Sequence, residues 1–152
     1  MQPNITCSPG SPSAPARAQA SHVLPIRVYY EDTDAGGVVY YANYLKFCER
    51  GRTEWLRALG VGQQALLEES GIAFMVRSLQ ADYRGSARLD DTLQIVSRIG
   101  TLRRASIQFE QQALRDGELL FSSSVIVACV DVNRHKPTAI PAPLYALLES
   151  QA

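Results

Sequence analysis

Three features of the chain point to an α+β fold, with one long helix lying on the covered face of a five-stranded, mainly antiparallel sheet. Apolar residues recur at helical spacing between residues 42 and 59. Beyond Gly71 the hydrophobic period changes to two, over four further segments. Asp116-Gly117 separates the last two of these. That dipeptide suits the type I′ turn of a β-hairpin, which needs positive φ at both central residues.

Each element follows from local chemistry. Residues 22–31 read as the first strand, with Val28, Tyr29 and Tyr30 supplying β-propensity and Pro25 near its start. In the long helix, Tyr44, Phe47, Cys48, Trp55, Ala58 and Leu59 form the apolar stripe. Lys46, Glu49, Arg50, Thr53, Glu54 and Arg57 fall largely on the other side, with Arg50 and Glu54 spaced to pair. Gly51 lies on the stripe. A mid-helix glycine costs up to about 1 kcal/mol, so close packing against a broad surface is expected there. Gly60 is a natural helix stop, and a short helix over 63–69 ends before Gly71.

The four strands are expected at 72–83, 91–100, 105–115 and 118–132. In the third, Ala105, Ile107, Phe109, Gln111 and Ala113 alternate with polar residues, giving one covered and one wet face. The last is apolar on both faces and belongs in the sheet interior. In 72–83, Ile72, Phe74 and Val76 share one face, and Met75, Leu79 and Ala81 the other. A short closing helix is expected at 144–148, after Pro141 and Pro143.

Composition narrows the function classes. The chain has 152 residues, 46% hydrophobic and 20% charged, enough for one domain with a real core. Fifteen basic residues balance fifteen acidic ones, so no global field favours nucleic acid or an anionic membrane. Residues 1–22 are rich in Pro, Ser and Ala, without the apolar core of a signal peptide. They read as a disordered tail before a domain at 23–152. No run approaches the roughly 20 apolar residues of a membrane span. Cys7, Cys48 and Cys129 lie far apart, which points to free thiols in a reducing, cytoplasmic compartment. With only His22 and His135 as imidazoles, no metal site is expected.

The chemistry concentrates where the first strand meets the long helix. Asp32 and Asp34 sit at the strand's end, and Gly36 and Gly37 remove side chains so that another molecule can approach the backbone. The helix that follows begins with free, partially positive N–H groups. A carboxylate beside such donors can act on a carbonyl and hold the resulting oxyanion. A calcium loop fits poorly, because Gly36 and Asn43 stand where two oxygen ligands belong. An ordinary acidic turn is the plain alternative.

The stretch YYEDTDAGGVVYYANYLKFCERGRTEWLR resembles the signature of hot-dog acyl-CoA thioesterases, in the 4-hydroxybenzoyl-CoA thioesterase family. Within it the chain is most similar to the acyl-CoA thioesterases associated with the tol-pal cluster. DYRGSARLDDTL and CVDVNRHKPTAIP resemble further segments of that group. The resemblance implies a hot-dog fold and hydrolysis of acyl-CoA to free acid and coenzyme A. Coenzyme A enters as part of the substrate, and no resident cofactor is implied. The family's catalytic carboxylate falls on Asp34, as nucleophile or general base, and leaves Asp32 structural. The backbone N–H that polarises the thioester falls on Tyr41, and an active-site tyrosine on Tyr30. Position 41 is often histidine in that group. Tyrosine keeps the backbone donor but offers no imidazole.

Coenzyme A phosphates call for cations, and Arg103 and Arg104, with Arg134 and Lys136 around His135, resemble basic positions in the hydroxybenzoyl branch of the family. Glu49 reads as a solvated helix charge. Alternative functions are hydrolysis of acyl carrier protein thioesters, or a non-catalytic acyl-binding scaffold. A homodimer or homotetramer is implied, paired through the edge strand at 72–83, with Asp34 of one subunit facing residues 74–76 of its partner.

Overall fold

The computed structural model describes residues 19–152. Most of the expected tail, and Cys7 with it, lies outside the described residues. Of that tail, the residues from Gln19 on are described, and His22 already opens the first strand.

Five long strands form an antiparallel sheet: β1 (His22–Arg27), β2 (Ile72–Tyr83), β3 (Thr92–Arg103), β4 (Ser106–Arg115) and β5 (Glu118–Asp131). Their order across the sheet is β1-β3-β4-β5-β2. A two-residue strand, β6 (Lys136–Pro137), pairs with the end of β5. It was not expected from sequence, being too short to show a period. The helices are α1 (Asn43–Ala58), α2 (Gln63–Ser70) and α3 (Ala142–Glu149). The β4–β5 hairpin turns as Asp-Gly requires, with φ of 49° at Asp116 and 81° at Gly117.

The alternation expected in β4 holds: Ile107, Phe109, Gln111 and Ala113 are buried under the helix layer. β5 is interior, flanked by β4 and β2. Three local expectations fail. The first strand stops at Arg27, and Tyr30–Asp32 form a 3-10 turn instead. The Asp32 carboxylate accepts the Tyr29 N–H at 2.8 Å, which curls the chain against its tyrosines' β-propensity. Glu54 bonds Arg57 rather than Arg50, whose guanidinium lies 5.9 Å from the Phe47 ring centroid. In β2 a bulge between Val76 and Ser78 shifts the alternation by one residue. Leu79 therefore joins Val76 beside α1, rather than lying on the opposite face.

α1 sits very close to the sheet. A Cβ built on Gly51 would stand 3.0 Å from Ile95 Cγ2, 3.1 Å from Ser97 Oγ and 3.2 Å from Gln111 Nε2. This is the broad, tight surface the mid-helix glycine implied. The buried amide of Gln111 ties the layers together. Its Nε2 donates to the Cys48 carbonyl and to Ser97 Oγ, both at 2.8 Å. Its Oε1 accepts from Arg52 Nη1 at 2.8 Å. Burial lowers the Arg52 pKa from its ordinary value, while Cys48 and Glu49 oppose that shift. Burial also pushes the Cys48 thiol up to about 11, so it stays neutral in the core. α3 packs Leu144 and Leu148 into the cluster around Trp55, Phe109 and Val125.

Gly51→Ala sets overpacking, typically about 1–3 kcal/mol, against a helix-propensity gain of up to about 1 kcal/mol. We expect overpacking to win and the urea midpoint to fall. An unchanged or raised midpoint would show that α1 can lift off the sheet.

Candidate active site

The segment between β1 and α1 is built on buried Asp32. Its carboxylate accepts the Tyr29 N–H, and its backbone carbonyl accepts bonds from Tyr40 N–H and Asn43 Nδ2, both at 2.9 Å. These bonds draw the two ends of the 33–39 loop together and fix that loop against the start of α1. Asp32 is thus a structural post.

Asp34 has the opposite environment. It is exposed, at the first position of a turn closed by Gly37 N–H to the Asp34 carbonyl at 3.0 Å. Gly37 adopts φ of 77°, which favours glycine. One carboxylate oxygen, Oδ1, accepts the Gly36 N–H at 2.8 Å. A Cβ on Gly36 would stand 3.1 Å from that same oxygen. The glycine pair therefore serves the turn and its own carboxylate. Oδ2 has no partner among the described residues.

Downstream, α1 begins without a side-chain cap, since its N-cap is Ala42. Among the described residues, neither Tyr41 nor Ala42 has a hydrogen-bond partner for its backbone N–H. Helix starts usually satisfy such donors locally with Ser, Thr, Asp or Asn. Asp34 and Tyr41 both line an open cleft of about 490 Å³, with Val38, Tyr83, Arg84 and Ser86. The cleft is thus lined by a carboxylate and by a residue with a free backbone N–H, the two kinds of group that acyl transfer uses.

The other expected residues lie elsewhere in a single chain. Tyr30 is 84% exposed and does not line the cleft. Arg103 and Arg104 sit at the β3–β4 turn, and Arg134, His135 and Lys136 beyond β5, all at the end of the sheet where Asp131 pairs with Ile72. The cleft is at the other end, where Tyr83 pairs with Phe121. At about 3.3 Å per residue the two ends are roughly 30 Å apart. Arg134 Nε also lies 3.8 Å from Asp131. Glu49 is exposed, accepts from Thr53 Oγ1 at 2.7 Å, and borders a groove between α1 and β2. Among the described residues no three His, Cys, Asp or Glu side chains converge as a metal site would need, and no helix is long and apolar enough to cross a membrane.

Three site residues escaped the sequence reading: Asn43, Tyr83 and Arg84. The last two fall in DYRGSARLDDTL, whose likeness to known thioesterases was the available signal. Nothing in the sequence ties Asn43 to Asp32.

Residues 28–148 match the model of the thioesterase-like superfamily. The chain belongs to that superfamily. Among its relatives are the acyl-CoA thioesterase YbgC of Haemophilus influenzae, 52% identical over 78% of this chain and 87% of that one. The acyl-CoA thioester hydrolase YbgC of Escherichia coli is 48% identical, over 80% and 91%. A probable thioesterase from Bartonella henselae superposes with a TM-score of 0.76 at 37% identity, covering 80% of this chain and all of that one. The curled antiparallel sheet around α1 is the hot-dog fold of these thioesterases, as the resemblance implied.

Asn43→Ala tests the tie to the Asp32 post on which the candidate site is built. Helix propensity alone favours alanine by up to about 0.7 kcal/mol. Loss of the buried bond to the Asp32 carbonyl costs about 1–3 kcal/mol. Urea unfolding should show a net loss of stability; a gain would mean the bond carries nothing.

Proposed function

We propose that this chain hydrolyses acyl-CoA thioesters to a free acid and coenzyme A, with Asp34 acting on the thioester carbonyl. The observation that carries this reading is the shared cleft, in which Asp34 Oδ2 and the Tyr41 N–H both lack partners among the described residues. The activities named for the Haemophilus influenzae and Escherichia coli relatives support it.

Two routes fit the geometry. In one, Asp34 attacks the carbonyl carbon, the C–S bond breaks, the thiolate takes a proton from solvent, and water then cleaves the mixed anhydride. In the other, Asp34 takes a proton from water as the hydroxide adds to the carbonyl. The tetrahedral intermediate collapses, and Asp34 returns the proton to the departing sulfur. Either way negative charge grows on the former carbonyl oxygen, where the free N–H at Tyr41 and the positive end of α1 stabilise it. Tyrosine at position 41 supplies this donor from its backbone, so the step requires no imidazole.

We further infer a homodimer, paired through β2. This strand is a sheet edge of 12 residues, with Met75 52%, Val76 54% and Leu79 40% exposed. Together with Leu45 and Cys48, Val76 and Leu79 line the groove of about 490 Å³ beside α1. Such an edge invites pairing, and a bare apolar groove calls for cover. Antiparallel pairing of β2 with its twin sets the Ile72 end of one subunit beside the Tyr83 end of the other. The partner's basic turn and loop then lie on the same side as Asp34, within the reach of an extended coenzyme A. In this assembly Arg103, Arg104, Arg134 and Lys136 meet its phosphates across the interface.

Asp34→Asn should lower kcat by roughly 10²–10⁴-fold in a free-thiol release assay, the usual worth of a general base, with an unchanged urea midpoint. Asp32→Asn should cost less activity and more stability, and the reverse pattern would exchange their roles. Val76→Asp should abolish dimer and activity together; sedimentation of a stable, fully active monomer would overturn the shared site.

A further inference from the structure

One hydroxyl in the cleft is bonded to backbone instead of being left for substrate. Tyr83, the last residue of β2, lines the cleft with Asp34 and Tyr41. Its OH donates to the Tyr41 carbonyl oxygen at 2.8 Å, across 42 residues of sequence. The carbonyl of Tyr40, in the peptide plane just before, accepts the Asn43 N–H at 2.8 Å. The two peptide planes that meet at the Tyr41 Cα are therefore both pinned. In a trans amide the N–H and C=O point to opposite edges of one plane, so a bond on one edge fixes where the other points. A bond accepted at a carbonyl also polarises the amide that carries it.

Tyr41 lies outside the ladder of α1, and Ala42 provides no side-chain cap. Its orientation consequently rests on these tertiary and turn bonds. The donor is itself well held. The Tyr83 ring packs edge-on against Tyr41 at 6.3 Å, Tyr44 at 5.8 Å and Phe121 at 5.0 Å between centroids. Tyr44 is in turn anchored, its hydroxyl accepting the Ala87 N–H at 3.0 Å. Partial burial raises the Tyr83 pKa above its ordinary value, with Tyr41 and Tyr44 adding, so the hydroxyl keeps its proton at neutral pH.

We propose that Tyr83 is a positioning residue for the reaction: its hydroxyl fixes the Tyr41–Ala42 peptide plane, and so holds the Tyr41 Cα from one side. The Asn43 bond to the Tyr40 carbonyl holds the other plane, whose unpaired Tyr41 N–H meets the thioester oxygen. This rests on the reading that the thioester sits between Asp34 and Tyr41. It makes the end of the edge strand part of the oxyanion apparatus, through one bond to backbone.

Tyr83→Phe removes the hydroxyl and keeps the ring and its three aromatic neighbours. The full-length variant, with unchanged sedimentation and urea midpoint, is assayed by thiol release on short-, medium- and long-chain acyl-CoAs beside Asp34→Asn. A neutral hydrogen bond of ordinary strength predicts a kcat lower by roughly three- to tenfold, by the same factor for every chain length, with KM unchanged. A KM that rises with chain length at constant kcat would make Tyr83 a wall of the acyl site and overturn the proposal. A fully active Tyr83→Phe beside an inactive Asp34→Asn would overturn it while leaving the site reading intact. Full activity in both would overturn the two together. Should Tyr83→Phe prove unstable, Tyr83→Met keeps a large apolar side chain without a hydrogen-bond donor at that place. Its kcat must fall at constant KM, and retention of wild-type kcat overturns the proposal.

Discussion

The contact between Gly51 and the sheet governs the rest of the molecule. Only a residue without Cβ lets α1 approach Ile95, Ser97 and Gln111 this closely. At that distance the Gln111 side chain reaches the Cys48 carbonyl, Ser97 and Arg52 at once. A buried amide so fully engaged resists sliding, because any shift of the helix strands polar atoms in a dry layer. Interiors packed at crystal-like density transmit such a constraint along a rigid helix. The helix start, eight residues and therefore about 12 Å away, inherits a fixed place over the sheet. Asn43 then ties that start to the Asp32 carbonyl.

Beside this well-satisfied frame, the cleft is left incomplete. The Asp32 carboxylate and carbonyl and the Gln111 amide all have partners, whereas Asp34 Oδ2 and the Tyr41 and Ala42 amides have none among the described residues. Natural proteins break local rules where function needs it, and a helix start with alanine as its cap is such a break. Preorganised donors of this kind stabilise developing charge without having to reorient during the reaction. The aromatic cluster of Tyr41, Tyr44, Tyr83 and Phe121 keeps them in place.

The edge strand carries a second incompleteness. β2 is exposed along most of its length, and its bulge at Val76/Ser78 turns Leu79 toward the groove beside α1. A monomer would show water both an unpaired backbone edge and an apolar groove. A dimer paired along β2 removes both exposures, and also brings a basic end of the sheet to the acidic turn.

Much of this was legible in the sequence because its signals are local. The helical period of α1, the change to period two after Gly71, the Asp116-Gly117 turn and the cost of a mid-helix Gly51 each depend on neighbours within a few residues. The linked stretch around Asp34 and Tyr41 was legible for the same reason, with its likeness to known thioesterases. What only the tertiary structure decided depends on residues far apart in the chain. Tyr29 and Tyr30 favour a strand by propensity, yet the Asp32 carboxylate and the pull of Asn43 bend them into a turn. The β2 bulge is a matter of register against β5 and cannot be read from alternation within one strand. Arg103, Arg104, Arg134 and Lys136 are basic in any reading, but the order of the strands sets them roughly 30 Å from Asp34 in a single chain. Tyr83 meets the Tyr41 carbonyl because two segments 42 residues apart converge at one end of the sheet. Local spacing fixes the conformation of short segments, whereas which distant groups come within bonding distance follows from packing the whole sheet around α1.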